Sequence, residues 1–409
     1  FKQKTAYEIL TCDWSSDVCS SDLAFMIGMG SGNYMTRSLG AGKRELAEQI
    51  VSIAFFTGII MGLVITVSAT FNIHRVVLLL GATETIAPYA EAYAHYIFIA
   101  APFMICSFIM NNLLRFQGKA SFAMVGITVG GLLNIALDPL FIFTLDMGTA
   151  GAALATGLSQ FISFCILLWM CNHQDSCISI SIRKFRPKLA IYREVLYGGI
   201  PSLGRQGIAS VATILMNFMC QPYGDAAIAA MSIVSRFMFF INSVIIGFGQ
   251  GFQPVCSYCF GAGLYNRVKK ACWFCIRVST IILLVLSVIS FPAARSIITL
   301  FRRNDPTVIE IGTLALRLQL ITLPLQGAVI MGNMMPQSIG YGFRATLVST
   351  ARQGIFLIPL LTIMTYTIGL LGIQCAQPLA DIATFILSLF VIRGIFKEFP
   401  EDASSFAAQ

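Results

Sequence analysis

The chain has 409 residues, of which 56% are hydrophobic and only 11% charged, with a formal net charge of +8 and a mean hydropathy of +0.78. A soluble domain carries roughly 25% charged residues, so this chain has too little charge to cover a water-facing surface, and a soluble enzyme is excluded. The Lys and Arg are scattered between apolar runs, which fits membrane-flanking loops and not a nucleic-acid surface. The first 23 residues, FKQKTAYEILTCDWSSDVCSSDL, are polar and lack the apolar stretch of a signal peptide. They resemble the translated sequencing-adapter stretch found fused to unrelated conceptual translations, and are expected to be a non-native scar that takes Cys12 and Cys19 with it.

From Ala24 onward, long apolar windows predict membrane spans near 24–39, 48–72, 86–114, 121–145, 150–171, 192–221, 226–260, 270–300, 307–335, 343–366 and 371–393. No strand-period alternation competes with them, as a β-barrel would require. Every second loop is basic: Arg37, Lys43 and Arg44; Arg115 and Lys119; Arg183, Lys184, Arg186, Lys188 and Arg193; Arg267, Lys269 and Lys270; Arg344; and Arg393 with Lys397. That alternation puts these loops and the C-terminus in the cytoplasm, with Arg75 and the group Arg295, Arg302 and Arg303 as exceptions.

The chain also repeats itself. GMGSG at Gly28–Gly32 matches GFGQG at Gly247–Gly251, and LGAGK at Leu39 matches FGAGL at Phe260. Gln117 matches Gln337, Pro139 matches Pro359, Gly151 matches Gly372 and Ala155 matches Ala376. Each full copy would hold six spans, an even number, so the copies share an orientation and are related by an axis along the membrane normal. The second copy starts near Ala190, and by comparison the first lacks about one and a half helices at its front. The expected organisation is a scar over 1–23, a truncated first lobe over 24–180, a basic cytoplasmic linker over 181–189, a second lobe over 190–397 and a cytoplasmic tail over 398–409.

Asp138 is the sharpest candidate for chemistry. It lies deep in an apolar span, where an ionised carboxylate is costly unless it faces a cavity or a partner. Asn134 is four residues earlier on the same helical face, and Pro139 removes a backbone N–H beside it. Thr156 lies on the next, antiparallel helix; both it and Asp138 are ~12–15 Å from the intervening loop at 1.5 Å per residue. A carboxylate, an amide and a hydroxyl at one depth suit a proton or Na⁺ site. The same set also suits a structural Asp satisfied by neighbouring hydroxyls.

In the second copy Arg205, Arg236, Arg317 and Arg352 fall roughly 10–13 residues into their spans, about mid-depth by helix rise, with Asp381 the one comparable acid. Helix-to-helix stapling, for example between Arg352 and Asp381, is the favoured reading; a basic cleft wall is the other. Of 32 Phe and 17 Met, some could line a cleft for cationic amphiphiles, though a lipid-facing role explains most. Cys256-x2-Cys259 and Cys272-x2-Cys275 mimic zinc-ribbon spacing but sit at the ends of apolar helices, so a metal site is discounted. GMGSG follows no strand and is no nucleotide loop; its glycines are expected to permit close helix packing.

The segments GFGQGFQPVCSYCFGAGLYNRVKKA, GIPSLGRQGIASVATILMN, LALRLQLITLPLQG and NIALDPLFI resemble the multidrug and toxic compound extrusion (MATE) exporters, in their bacterial drug-exporting branch, over about Ala24 to Lys397. The resemblance implies an all-α polytopic membrane protein of two six-helix lobes around a V-shaped cleft. It also implies export of cationic or amphipathic drugs in exchange for H⁺ or Na⁺ by alternating access, in a bacterial inner membrane, by a monomer with no other cofactor. Asn134, Asp138 and Thr156 match the family's N-lobe cation site and Asn111 matches a further position of it, while the acidic residue that the family carries on its first helix is lacking. Substrate contacts are expected from Gln206, Asn217 and Gln253, with Arg205 and Arg236 on the cleft wall. A flippase for lipid-linked saccharides with the same two-lobe plan is the alternative. An intramembrane enzyme is the remote one, since His74, His95 and His173 lie on separate segments without ligand spacing.

Overall fold

The structure, a computed structural model, describes residues 2–79, 87–173, 180–302 and 305–400. Arg303 and the tail beyond residue 400 lie outside the described residues, as do the side chains of Cys12, Cys19 and His173. Among the described residues every regular element is a helix. In chain order these are α1 (Lys2–Gly40), α2 (Arg44–Phe71), the short α3 (Ile73–Leu79), α4 (Ala87–Phe116), α5 (Ala120–Pro139), α6 (Gly148–His173), α7 (Leu189–Cys220), α8 (Asp225–Gly261) and α9 (Tyr265–Phe301). They continue as α10 (Pro306–Thr322), α11 (Gln326–Ile339), α12 (Gly342–Thr350), α13 (Leu357–Ile368) and α14 (Leu370–Glu398). Nine spans among the described residues are long and apolar enough to cross a membrane. Three of these join elements, since α5 runs into a π-helical turn over Leu140–Thr144, α10 into α11 and α12 into α13.

The helices follow the apolar windows closely, but those at the predicted spans 24–39 and 192–221, α1 and α7, are not among the nine, and α1 starts well before its window. The backbone of α1 is helical from Lys2, through the polar segment, and continues unbroken into the buried run around Ala24. No Gly or Pro occurs before Gly28 to stop it.

The chain divides into two compact units, residues 1–199 and 200–409. The boundary therefore falls inside α7, and not in the basic segment 181–189 where the linker was expected. Local packing explains the shift. A Cβ on Gly30 of α1 would stand 2.9 Å from the Val195 carbonyl carbon and 3.0 Å from the Gly199 nitrogen, and one on Gly199 would meet Met26. Backbones that approach this closely fasten the first turns of α7 to α1. Segment 181–189 is fastened to α2 of the same unit: Lys184 Nζ lies 2.6 Å from Glu48 Oε2, Ser181 N donates to Ser52 Oγ, and the Phe185 ring packs edge-on against Phe56.

Inside each unit the same hydrogen-bond plan recurs, at offsets of 221 or 222 residues, slightly longer than the sequence motifs alone suggest. Thr66 Oγ1 donates to the Phe98 carbonyl at 2.6 Å, and Ser287 Oγ to the Leu320 carbonyl at 2.6 Å. Each of these carbonyls lies four residues before a proline, Pro102 and Pro324, whose missing N–H would otherwise leave it unpaired in an apolar interior. Likewise Thr36 Oγ1 donates to the Phe116 carbonyl and Ser257 Oγ to that of Ser338. Asn111 Nδ2 donates to the Ala123 carbonyl and Asn333 Nδ2 to that of Ala345.

The glycine motif is less evenly shared. Gly28, Gly30 and Gly32 all lie against neighbours, with Phe116 filling the space at Gly32, whereas of Gly247, Gly249 and Gly251 only Gly249 meets another side chain, Met334. The packing role expected of the motif holds for the first copy and for one glycine of the second.

Candidate functional site

The site begins as a stripe of four residues on α5 at four-residue spacing: Gly126, Gly130, Asn134 and Asp138. The two glycines let α6 come close. A Cβ at Gly126 would run into Leu167 and one at Gly130 would sit 3.0 Å from Ser163 Cβ, while Ser163 Oγ donates to the Gly126 carbonyl at 2.9 Å. This close approach carries Asn134 to α6. Its Nδ2 lies 3.2 Å from Thr156 Oγ1 and 3.3 Å from Asp138 Oδ1. Thr156 passes its own proton to the Ala152 carbonyl, at 3.1 Å, which leaves its lone pairs facing the amide. All three side chains are half-buried, and no ion pair between described residues includes Asp138. Directly beyond Pro139 the helix widens into a π-helical turn over Leu140–Thr144. Proline offers no N–H there, and π turns are frequent at functional sites.

Asn111 is not part of this cluster. Its amide is committed to the Ala123 carbonyl at 2.7 Å, about 16 Å along α5 from Asn134 by helix rise, and Asn333 makes the equivalent bond in the other unit. The shared bond marks Asn111 as a helix-packing residue.

The expected cleft residues also separate. Gln206, Asn217 and Arg236 lie on exposed helix surface and Arg205 is half-buried. Gln253 is fully buried and donates to Gln337 Oε1 at 3.3 Å, and Gln337 in turn donates to Ser202 Oγ at 2.8 Å. It stands in the interior of its unit, because α11 offers an amide partner facing α8, and so it does not line an open wall. Arg317 lies over the Phe291 ring at 5.6 Å.

Arg352 and Asp381 are joined as expected, Nε to Oδ1 at 2.8 Å. Two further partners were not foreseen: Gln377 Nε2 donates to Oδ1 at 3.1 Å and Gln326 Nε2 to Oδ2 at 2.9 Å. A single signal pointed to Gln377, its place one turn before Asp381. Gln326 comes from α11, and nothing in the sequence links it to that acid. Cys256, Cys272 and Cys275 are buried free thiols.

A multi-pass helical chain with a carboxylate–amide–hydroxyl cluster held between two apolar helices has the build of a membrane transporter. The MatE family profile matches residues 18–140 and 201–363, and the chain belongs to that family of transporters. It is similar to the multidrug export protein MepA of Staphylococcus saprophyticus, 28% identical over 370 residues that cover 90% of this chain and 81% of that protein. MepA of Staphylococcus aureus strain MRSA252 is also 28% identical, over 372 residues covering 90% of this chain and 81% of that one. Among solved structures, a point mutant of the Vibrio cholerae MATE transporter VcmN superposes with a TM-score of 0.89 at 20% identity, covering 95% of this chain and 88% of that one; this supports the fold.

Proposed function

We propose that the chain exports cationic or amphipathic drugs across a bacterial inner membrane in exchange for H⁺ or Na⁺, as a monomer working by alternating access, with its C-terminus in the cytoplasm. The names of the similar staphylococcal proteins support multidrug export. The observation that carries ion coupling is the Asp138–Asn134–Thr156 cluster, which has an acid but no base.

The chemistry turns on one amide. Asn134 now donates, through the same nitrogen, towards both Asp138 and Thr156. A proton on Asp138 makes that carboxyl a donor, and Na⁺ requires oxygen ligands. Either ion therefore favours turning the Asn134 carbonyl inward, alongside Thr156 Oγ1. Ion arrival thus reverses the polarity of the α5–α6 contact beside the π turn, and this biases one arrangement of the helices over another. Arg205 and Arg236, with the exposed Gln206 and Asn217, are the remaining candidates to meet substrate.

The experiment is efflux of a cationic dye, ethidium, from energised vesicles. Asp138→Asn is expected to abolish gradient-driven efflux while the protein remains folded, and Thr156→Val to weaken it. Undiminished efflux by Asp138→Asn overturns ion coupling at this site. Translocation of a lipid-linked saccharide without any dye efflux overturns the exporter reading.

A further inference from the structure

We infer that Arg352 is a tethered counter-cation that permanently occupies Asp381, so that this carboxylate exchanges no ion and coupling at Asp138 does not involve it. This rests on the reading of Asp138 given above.

The repeat sets the comparison. With Pro139 in register with Pro359 and Ala155 with Ala376, the α5–α6 pair corresponds to α12–α13 and α14. The second pair also holds an acid, but its surroundings are inverted. Across the offsets of the repeat the position of Asn134 falls on Gly354, Ile355 or Phe356, none of them an amide, so the bridging amide has no counterpart. The position of Thr156 is taken by Gln377, which points a donor at Asp381. Asp138 has an amide donor, a nearby hydroxyl oxygen and no basic partner among the described residues. Asp381, only 1% exposed, has Arg352 Nε and Gln377 Nε2 on Oδ1 and Gln326 Nε2 on Oδ2.

Each oxygen of Asp381 is thus taken by a donor, and one donor carries a full charge that cannot leave. A guanidinium keeps its proton at any physiological pH, and the backbone holds it in place. Gln326 Oε1, buried and without a partner, is the oxygen that a mobile cation would have used beside this carboxylate. Arg352 lies within the π-helical segment Ala351–Phe356, so each unit has a π turn at its charged group. One turn adjoins a bare acid; the other carries the cation that neutralises an acid.

The test counts ions per dye molecule, from the reversal potential of ethidium transport by the full chain in proteoliposomes. Replacing the pair by neutral groups of similar volume, Asp381→Asn with Arg352→Met, is expected to leave the count at its wild-type value, because swaps of this kind in buried ion pairs are generally tolerated. A count lower by one overturns the inference, since Asp381 would then have been exchanging an ion. Arg352→Met alone strands the carboxylate and is expected to raise the count by one; a folded single variant with the wild-type count also overturns the inference. If the single variant fails to fold, the double variant decides. Asp138→Asn with the pair intact, measured alongside, isolates the underlying reading: coupling that survives there refutes the role of Asp138 and leaves the assignment of Arg352 to the double variant.

Discussion

The approach of α1 to α7 makes Gly30→Ala the most informative packing test. The added methyl would run into the Val195 carbonyl oxygen and lie 2.9 Å from the Val195 carbonyl carbon and 3.0 Å from the Gly199 nitrogen, against an ordinary carbon contact of about 3.5–4.0 Å. These neighbours are backbone and cannot rotate away, so the helices must part by roughly 1 Å. Overpacking of this kind costs about 1–3 kcal/mol, and a backbone neighbour places it near the top of that range. Alanine returns up to about 1 kcal/mol of helix propensity, so the net loss is about 2 kcal/mol. Its repeat mate offers a control, because at Gly249 the close neighbour is the thioether end of Met334, a flexible group that moves at little cost. Gly251→Ala meets nothing within 4 Å and is expected to gain stability. The assay is thermal stability of detergent-solubilised protein, read by size-exclusion after heating. The expected order is Gly30→Ala below wild type, Gly249→Ala near it and Gly251→Ala above it. A Gly30→Ala variant at least as stable as Gly251→Ala refutes the backbone-contact argument.

Thr66→Val retains shape but leaves the Phe98 carbonyl unpaired beneath Pro102, and is expected to cost about 1–3 kcal/mol in the same assay; Ser287→Ala should behave alike at Leu320. The pair formed by Arg344 and Glu398, at 2.9 and 2.5 Å, is exposed, so Glu398→Gln is expected to leave the thermal stability at its wild-type value in the same assay.

The helices were readable because a membrane demands long apolar runs, and the runs from Arg44 to Glu398 end within a few residues of the helices. The ladder Gly126–Gly130–Asn134–Asp138 was equally readable, since four-residue spacing defines a face without any tertiary information. Thr156 followed from counting back from a shared loop. Position along a helix does not specify azimuth, however, and the misplacements share that cause. Gln253 and Asn111 were placed at sensible depths yet turned towards neighbouring helices that supply them with partners. Gln326 was missed because it reaches Asp381 across 55 positions of sequence. The unit boundary escaped for a different reason: charge and polarity mark 181–189, but the contacts that allocate α7 come from Gly30 and Gly199, two residues with no side chain to signal them.

α7 is one continuous helix of 32 residues, and the changeover from unit 1–199 to unit 200–409 falls within it. Gly198, Gly199 and Pro201 cluster at the changeover. A helix bends most cheaply where a proline omits an N–H and adjacent glycines stiffen it least. A bend of α7 at this point would therefore change the angle at which its first turns meet Gly30 and Met26 of α1.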